Sequence, residues 1–335
     1  MENTTTINDE LLFSQVMISQ LAEVSTATIA QTVGKLGLIN IPTSSAKHKK
    51  YNISDTRKLI EKAHPKIQNI HKKTQVFYNF KGGTGKTSVC YQVAFHLTIM
   101  GYNVLVIDCD PQAHMSTVLR IEDSLNYLTL YDVLIGGMPI SEAIIPVVEG
   151  LDIVPSNISL TRVEVPLSQK AKREERLREA ISLVKNKYDY ILIDTNPNIS
   201  ILNLNALIAA DMINFVCETA PFSLSGMRIL IEETQSFFSD MKLPLNFKII
   251  ANKYESKTAT SQEVLGSLRA DYKDRVINVV IRKCEDINLS SKYKLPVAAF
   301  AKRTSPAIED ILDLLREIVD LSSDIHSKNK IYLPS

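Results

Sequence analysis

The amino-acid sequence predicts an α/β fold, a doubly wound and mostly parallel sheet, preceded by a small α-rich module. From residue 75 onward, Val- and Ile-rich runs alternate with helical patterns, as expected when buried parallel strands are joined by helices. A glycine-rich turn at residues 79–88 separates the first strand from the first helix. Residues 8–72 instead show short helices joined by a tight turn. We therefore predict two domains, 1–72 and 73–335.

The elements of the larger domain follow from these runs. The predicted strands are Val76–Asn79, Asn103–Asp108, Leu151–Val154, Tyr190–Asp194, Ile213–Glu218, Phe247–Ala251 and Arg275–Ile281. The predicted helices are Val89–Met100, Lys170–Lys187, Leu224–Phe238, Thr260–Tyr272 and Ala307–Leu321. Because such sheets bind ligands at the carboxyl ends of their strands, we expect the functional residues at that edge.

Charge is unevenly distributed along a nearly neutral chain. The 335 residues carry a net charge of +1 and are 45% hydrophobic, which allows a substantial core. Residues 35–73 hold ten Lys or Arg against two Asp or Glu, a net +8, so the remaining residues sum to −7. Concentrated positive charge favours contact with a polyanion. A solvated basic linker is the alternative.

Targeting and cysteine patterns favour a cytoplasmic protein. The first six residues lack the basic and apolar regions of a signal peptide, and no apolar run approaches the roughly 20 residues of a membrane span. The cysteines at positions 90, 109, 217 and 284 form no CxxC pair, and three lie in apolar runs. We expect buried thiols rather than a disulfide or a metal site.

The N-terminal module has the spacing of a helix-turn-helix unit. A short helix at 18–24 and a turn at 25–26 precede a second helix at 28–36, with Ile29, Val33 and Leu36 on one face. A third helix, capped by residues 54–55, ends near residue 63.

Small polar side chains on the second helix could enter a major groove, and lysines in the following loop could neutralise phosphates. The candidate DNA-contacting residues are Thr26, Thr28, Gln31, Thr32 and Lys35 on the helix and Lys47, Lys49 and Lys50 in the loop. The alternative is a packing or dimerisation element that does not touch DNA.

The glycine-rich turn is a candidate phosphate-binding loop. Its glycines allow backbone amides to surround phosphate oxygens at a helix N-terminus. Lys86 could reach the β- and γ-phosphates, and the Thr87 hydroxyl could bind magnesium. The loop departs from the usual pattern, because Phe80 stands where the first glycine is expected and a second lysine, Lys81, follows it. The nucleotide-binding residues predicted here are Lys81, Gly82, Gly83, Thr84, Gly85, Lys86, Thr87 and Ser88.

Three later strands also end in polar side chains. The strand before Asp108 and Asp110 places two carboxylates where an attacking water would lie. Asp194 ends an apolar strand, the Walker B pattern, and could hold magnesium. Asn252 follows another strand and offers an amide that could pair with an adenine edge.

The order and spacing of these runs resemble the deviant Walker A ATPases of the ParA, MinD and nitrogenase-iron-protein group. The runs KGGTGKTS, VLVIDCDPQ, LDIVPSNISL, YDYILIDTNP and LNLNALIAAD are similar to those of the ParA branch, the partition ATPases. The stretch LAEVSTATIAQTVGKLGL resembles a winged module of the MerR type, with residues 47–51 as its wing. The combination is similar to the larger, plasmid-type members, which also repress their own operons.

The resemblance implies ATP or ADP and Mg²⁺ as ligands, with roles assigned position by position. Lys86 would bind phosphate, and Thr87 would bind the metal together with Asp194, with Asp108 as a supporting acid. Asp110 would be the acid needed for hydrolysis. Lys81 would be the signature lysine that enters the partner's site in a homodimer. Asn196 replaces the first proline of the family's proline-rich second switch.

The resemblance also implies nonspecific DNA binding and a ParB-type partner that stimulates hydrolysis. From residue 253 to residue 303 there are eleven Lys or Arg against six Asp or Glu, a net +5. The predicted phosphate contacts are Arg282, Lys283, Lys292 and Lys294, with ordinary surface charge as the alternative for each. The expected location is the cytoplasm, on the nucleoid, without membrane attachment.

Other functions would need other features. A MinD-like membrane-surface ATPase would need a basic amphipathic C-terminal helix, and the short tail at 327–335 contains a proline. An iron protein would need two suitably placed cysteines in each subunit. An ATP-sensing transcriptional regulator without a segregation role stays open, because the acids and Lys86 argue for hydrolysis without proving it.

Overall fold

The N-terminal module consists of short helices beside a small antiparallel ribbon. The computed structural model describes residues 10–41, 49–121 and 126–323. The module contains β1 (Phe13–Ser14), α1 (Gln15–Leu21), α2 (Thr26–Leu36), β2 (Lys50–Tyr51) and α3 (Ile53–Ala63). β1 pairs with β2, and Ile41 forms a bridge to Lys50. Lys47 of the predicted wing lies outside the described residues.

Local contacts in the module correct three sequence expectations. The N-cap of α3 is Asn52, whose Oδ1 accepts a hydrogen bond from the Asp55 amide at 2.8 Å, rather than residues 54–55. Thr32, expected among the exposed polar side chains, is buried. Its hydroxyl donates to the Thr28 carbonyl at 2.9 Å, so it does not need water as a hydrogen-bond partner. Leu36, expected on the buried face, is 39% exposed at the end of α2, where Gly37 turns the chain.

The larger domain is built on a central sheet. Its strands are β3 (Thr74–Tyr78), β4 (Val104–Cys109), β5 (Ile145–Val148), β6 (Leu151–Val154), β7 (Tyr190–Thr195), β8 (Met212–Glu218), β9 (Phe247–Tyr254) and β10 (Val276–Arg282). Within the described ranges they form one eight-stranded sheet in the order β10-β9-β8-β3-β7-β4-β6-β5. β5 pairs antiparallel with β6, and the other neighbours are parallel. The predicted mostly parallel sheet is confirmed, and β5 is the strand that the sequence analysis missed.

Helices cover both faces of this sheet. They are α4 (Lys86–Ile99), α5 (His114–Val118), α6 (Leu130–Leu134), α7 (Glu164–Ser168), α8 (Arg176–Ser182), α9 (Ile201–Ala209), α10 (Ser223–Asp240), α11 (Ala259–Tyr272), α12 (Glu285–Tyr293), α13 (Val297–Phe300) and α14 (Pro306–Ser322). The long helix predicted over 170–187 is wrong. Lys172 adopts a left-handed backbone (φ 49°) that interrupts it, and only α8 and a 3₁₀ turn at Lys185–Lys187 remain.

Strand register brings the predicted acids together. Asp108 of β4 lies directly opposite Asp194 of β7, and Asp194 lies opposite Phe77 of β3. These strands are neighbours at the centre of the sheet, and their carboxyl ends share one edge. The loop after β3 therefore lies beside both carboxylates.

The N-terminal module packs against the larger domain through polar and apolar contacts. The Arg57 guanidinium donates to the carbonyls of Thr98, Gly101 and Tyr102, which follow or end the helix α4. Lys66 pairs with Asp189 at 2.9 Å. Apolar side chains of the two parts belong to one buried cluster.

These contacts change the interpretation of the basic segment at 35–73. Arg57 and Lys66 are used in docking, and Lys73 donates to the Tyr188 carbonyl at 3.2 Å. Burial lowers the pKa of Arg57, and the carboxylates of Glu149 and Glu61 oppose that shift. Part of the +8 is therefore internal to the protein and not available to a polyanion.

His96 makes folding stability sensitive to acid. It is fully buried on α4, its Nδ1 lies 2.7 Å from the Gln92 carbonyl, and burial lowers its pKa to about 4. An unfolded histidine takes up a proton near pH 6.5, so the stabilisation is complete above that pH and is lost as the pH falls toward 4. Between pH 7 and pH 5 we expect this one group to remove about 2 kcal/mol from the free energy of unfolding.

Urea unfolding of the wild type and of His96→Gln at both pH values checks this expectation. The fall in unfolding free energy between pH 7 and pH 5 should be smaller by about 2 kcal/mol in the variant. An equal fall in both proteins would show that His96 is not the group responsible.

Candidate nucleotide site

The loop between β3 and α4 needs glycine at its last turn. Gly83 and Gly85 adopt left-handed backbones with φ of 75° and 90°. A Cβ on Gly85 would lie 2.3 Å from Nδ2 of Asn252, which is closer than such atoms can approach. Gly85 also caps α4, so the loop opens directly onto the helix N-terminus.

Side chains from neighbouring strands brace the loop. The Asn79 Oδ1 accepts from the Lys81 amide at 2.9 Å, and its Nδ2 donates to the Val216 carbonyl at 2.8 Å. Asn252 donates to the Thr84 carbonyl at 2.7 Å, and Lys253 donates to the Gly83 carbonyl at 2.6 Å. Asn252 thus touches the loop itself, while its contact with a base stays a prediction. Lys253 was missed, because its left-handed backbone (φ 53°) carries no sequence signal.

Lys86 is buried at the floor of the loop. Its Nζ lies 3.5 Å from the Lys81 carbonyl. Burial lowers the pKa of Lys86, and the carboxylates of Asp194 and Asp110 oppose this shift. The ammonium is therefore held beside acids in a poorly solvated position, where it would attract phosphate strongly.

Asp194 is fully buried, and its carboxylate is only partly compensated by its neighbours. Among the residues that the structure describes, neither of its carboxylate oxygens meets the geometry of a hydrogen bond, although the Thr87 hydroxyl lies close enough to lower its pKa. Burial and then the Asp108 carboxylate raise its pKa well above the usual range, while the Thr87 hydroxyl and Lys86 act in the opposite direction. A buried carboxylate whose oxygens are not fully hydrogen-bonded is expected where a cation binds. Oxygen donors from Asp194 and Thr87 suit Mg²⁺.

Asp108 is held by the segment that follows it. Its Oδ1 accepts from the Asp110 amide at 3.0 Å, and its Oδ2 accepts from the Ser116 amide at 2.8 Å and hydroxyl at 2.7 Å. Burial raises the pKa of Asp108 to about 6 despite these bonds. Both oxygens are already engaged, so Asp108 positions the segment, and its predicted contact with a metal is untested. Ser116 gave no recognisable sequence signal.

Asp110 stands at the mouth of the site with 6% of its surface exposed. Its Oδ1 accepts from the Gln112 amide at 2.9 Å, and its Oδ2 lies 3.5 Å from His114 Nδ1. The Ser156 hydroxyl donates to the Asp110 carbonyl at 2.6 Å. This carboxylate is fixed in direction and lines the cavity, as an acid that orients a water must be.

A cavity of about 1160 Å³ lies at the carboxyl edge of the sheet, with Lys86, Thr87 and Asp110 in its lining. It is large enough for a nucleotide. Its lining includes Gly82, Gly83, Gly85, Lys86, Thr87, Ser88, Asp110, Asn196, Lys253, Asn288 and Ser291. The glycine loop and Asp110, the acid predicted to act in hydrolysis, therefore line one space.

Comparison with known proteins is decisive for the family. The model of the AAA domain family matches residues 72–247. The cell division protein PomZ of Myxococcus xanthus is 36% identical over 251 residues, which are 73% of this chain and 77% of PomZ. The chromosome partitioning protein ParA of Caulobacter vibrioides is 31% identical over 254 residues, 75% of this chain and 95% of that protein. The chromosome-partitioning ATPase Soj of Treponema pallidum is 31% identical over 249 residues, 74% and 97% of the two chains.

The chain belongs to the ParA family of partition ATPases.

Solved structures confirm the fold of this ParA-family protein. A putative plasmid partition protein of Borrelia burgdorferi bound to AMPPNP aligns with a TM-score of 0.63 at 23% identity, over 75% of this chain and 99% of that one. A cobyrinic acid a,c-diamide synthase of Mycobacterium smegmatis with bound ATP analogue and magnesium aligns with a TM-score of 0.64 at 24% identity, over 79% and 99% of the chains.

Lys81, the lysine typical of the ParA family, lies at the rim of the loop. It is 43% exposed, and its Nζ lies 3.4 Å from Glu218 Oε2 and 3.4 Å from the Ser223 hydroxyl. Glu218 also lies 3.8 Å from Lys253 Nζ. Glu218 was not singled out from the sequence, yet it pairs with both rim lysines.

Asn196, which stands where the ParA pattern has a proline, forms side-chain hydrogen bonds to two other segments. Its Nδ2 donates to the Cys109 carbonyl at 3.4 Å, and its Oδ1 accepts from Asn203 Nδ2 at 2.8 Å. Asn203 also donates to the Asn198 carbonyl at 2.5 Å. Side-chain amides therefore connect the loop after β7 to the end of β4, where a proline could not.

The predicted C-terminal DNA contacts differ in availability. Arg282 Nε donates to Oδ1 and Oδ2 of Asp310 at 2.9 and 3.0 Å. Its Nη2 donates to the same Oδ1 at 2.6 Å and to Glu309 at 2.6 Å, and these bonds raise the pKa of Arg282. Its charge is thus compensated at the end of β10, which argues against a phosphate contact there. Lys283 pairs with Glu255 at 2.9 Å. Lys292 is exposed in the last turn of α12, and Lys294 is its C-cap.

The predicted contacts on the N-terminal module differ in their exposure. Thr26, Gln31 and Lys35 are exposed on α2, as is Lys49 before β2. Thr28 is partly buried, and its hydroxyl lies 2.9 Å from that of Ser25, the N-cap of α2. Lys50 is also partly buried.

In the described part of the chain, no helix is long and apolar enough to cross a bilayer.

Proposed function

We propose that this chain is a DNA-partition ATPase that hydrolyses ATP with Mg²⁺ and binds DNA nonspecifically as an ATP-dependent homodimer. The observation that carries the proposal is the fully buried Asp194 carboxylate, which lies beside Lys86 and the Thr87 hydroxyl under a glycine loop. Among the described residues its oxygens meet the geometry of no hydrogen bond. A site of this kind is completed by a magnesium–phosphate group. The ligands in the solved structures of similar fold support the same choice.

Each residue of the site would have a separate role in binding or hydrolysis. Lys86 and the loop would hold the phosphates, and Thr87 with Asp194 would hold Mg²⁺, which when bound neutralises phosphate charge. Asp110 would orient the attacking water. Lys81, exposed at the rim, would reach the nucleotide of a second subunit and so make hydrolysis depend on dimerisation.

Two kinds of DNA contact are proposed. The ATP-bound dimer would bind nucleoid DNA through basic residues that include Lys283, Lys292 and Lys294, and a ParB-type partner would stimulate hydrolysis and release. The N-terminal module would bind an operator in its own promoter through Gln31, Lys35 and the basic loop before α3. The exposed polar face of α2 supports this second role.

DNA binding of the full-length protein tests both roles. Binding to a random duplex and to the protein's own promoter is measured without nucleotide, with ADP and with ATP. We expect ATP to promote binding to the random duplex. Gln31→Ala combined with Lys35→Ala should weaken promoter binding about tenfold or more, and should leave ATP-dependent binding to the random duplex within about twofold.

Substitution is preferable to removal of the module. His71 and Lys72 donate to the Ser322 carbonyl, and Ile70 bridges to Ser323, so a chain lacking residues 1–72 would lose part of its own core. Lys187→Ala, which removes an exposed lysine outside both basic segments, serves as the control for charge removal. Equal weakening on both duplexes by the Gln31 and Lys35 changes would contradict the proposed division. Promoter binding without any ATP-dependent binding to random DNA would favour the ATP-sensing regulator.

A further inference from the structure

The segment after the hydrolytic acid is one hydrogen-bonded unit that ends at Arg120. Ser116 is held by the Asp108 carboxylate, as described above, and the amide of Ala113 donates to the Asp110 carbonyl at 2.8 Å. Further along, the Arg120 amide donates to the Thr117 carbonyl at 3.0 Å. Met115 and Leu119 anchor the segment in the core. Asp110 and Arg120 therefore lie at the two ends of one hydrogen-bonded segment that is anchored in the core.

Arg120 extends from this segment into two other parts of the protein. Its Nη2 donates to Glu10 Oε2 of the N-terminal module at 2.5 Å and to the carbonyl of Tyr293, the last residue of α12, at 3.5 Å. Its backbone is left-handed (φ 64°), a conformation that disfavours side chains other than glycine. Within the described chain its Nε is buried without a partner. Strained backbone of this kind is held in place by its surroundings and occurs most often at functional and switch regions.

Both regions that Arg120 contacts carry predicted DNA contacts. Glu10 lies just before β1, which pairs with β2 next to the basic loop. Tyr293 lies between Lys292 and Lys294. α12 is also connected to α4, since Gln92 donates to the Ser290 hydroxyl at 2.6 Å, and its residues Asn288 and Ser291 line the nucleotide cavity.

We propose that Arg120 couples the state of the nucleotide site to both DNA-binding regions. The hydrogen bond from Arg120 to Glu10, called the first arm, would couple the site to the N-terminal module. The hydrogen bond from Arg120 to the Tyr293 carbonyl, called the second arm, would position Lys292 and Lys294. This inference rests on the proposed function, in which nucleotide controls DNA binding. Coupling of this kind needs one element whose equilibrium both sites bias, and the Asp110–Arg120 segment is that element. Arg120 is a positioning residue and touches no nucleotide.

Three full-length variants separate the two arms. Arg120→Gln weakens both arms, and Glu10→Gln weakens the first. The exchange of charges in Glu10→Arg with Arg120→Glu restores the ion pair but places an acceptor against the Tyr293 carbonyl, so only the first arm is restored. Every variant keeps a Cβ at position 120, so the strain of the left-handed backbone is unchanged.

Hydrogen exchange provides a readout that needs no DNA. We expect protection of residues 10–36 in the wild type to differ between ADP and a non-hydrolysable ATP analogue. That difference should vanish in Arg120→Gln and Glu10→Gln and return in the exchanged pair, with nucleotide affinity within about twofold throughout. Residues 285–294 should lose their response in Arg120→Gln and in the exchanged pair and keep it in Glu10→Gln.

DNA binding supplies the second readout. Allosteric couplings are typically about 5-fold or more, and we expect the ratio of promoter affinities with ADP and ATP to fall toward one in Arg120→Gln. Retention of both nucleotide responses in Arg120→Gln would overturn the inference and point instead to Arg57 at the far end of α4. A wild type whose N-terminal module does not respond to nucleotide would also overturn it, while ATP-dependent binding to random DNA would still support the proposed function.

Discussion

Replacing Lys86 with alanine is expected to abolish ATP-dependent dimerisation and retention on random DNA. The buried ammonium lies beside Asp194 and Asp110 at the base of the glycine loop, so it is the positive charge that a γ-phosphate would meet there. Loss of such charge-assisted contacts, about 3 kcal/mol, should weaken ATP binding about 10²-fold. Without bound ATP, the rim lysine of one subunit has no phosphate to reach in the other.

Calorimetric titration with ATP and Mg²⁺, followed by sedimentation with and without random DNA, measures both effects. Lys187→Ala is the matched control, since it removes an exposed lysine that is outside both basic segments and does not line the cavity. Thermal unfolding without nucleotide identifies any loss of folding, and Lys86→Gln repeats the test with a side chain that fills more of the space. Normal retention on DNA in a folded Lys86→Ala protein would contradict the proposed mechanism.

The sequence predicted the sheet and the edge that carries the site, because both depend on local patterns. Continuous apolar runs mark strands buried on both faces, and parallel strands must share a carboxyl edge. The order of the strands then places Asp108 opposite Asp194, which no single run could show. β5 was missed because it lies at the sheet edge, is partly exposed and contains Pro146, which weakens a strand pattern.

Residue roles that depend on distant partners could not be predicted. Arg282 follows a strand and resembles a phosphate contact in sequence, but Asp310, on a helix 28 positions later, compensates its charge. Arg57 counts toward a basic segment, yet it docks onto the end of α4. Charge counts along the chain report the composition of a segment, whereas availability to DNA depends on neighbours that only the fold supplies.

The departures from the family pattern are of two kinds. Asn196 replaces a proline and gains side-chain hydrogen bonds to Cys109 and from Asn203, so the loop after β7 is still fixed, by different means. Phe80 replaces a glycine and packs against Gly226 of α10, where a Cβ would lie 3.5 Å from its ring. The second change leaves Lys81 at the rim, beside Glu218.

Replacing Asp110 with alanine is expected to preserve ATP binding and slow hydrolysis by about 10²-fold or more, the usual contribution of a group that positions or activates a water. Its carboxylate lines the cavity but is not in the loop that would hold the phosphates. The ATP-bound dimer should therefore form and persist on random DNA. Asp240→Asn, an exposed acid at the end of α10, is the control. Unchanged turnover in Asp110→Ala would mean that another residue positions the water.

Mixing Asp110→Ala with Lys81→Ala subunits tests whether the rim lysine acts across the dimer. In a two-fold dimer, the site of the Lys81→Ala subunit would have its own Asp110 and receive Lys81 from the other subunit. An equal mixture should then recover about a quarter of the wild-type rate, since half of the dimers are mixed and each has one working site. If Lys81 acts within its own subunit, every site lacks one residue and the mixture stays inactive. ATP binding by each variant is measured first. If both variants bind ATP equally, an inactive mixture reflects a loss of hydrolysis and not a failure to bind ATP.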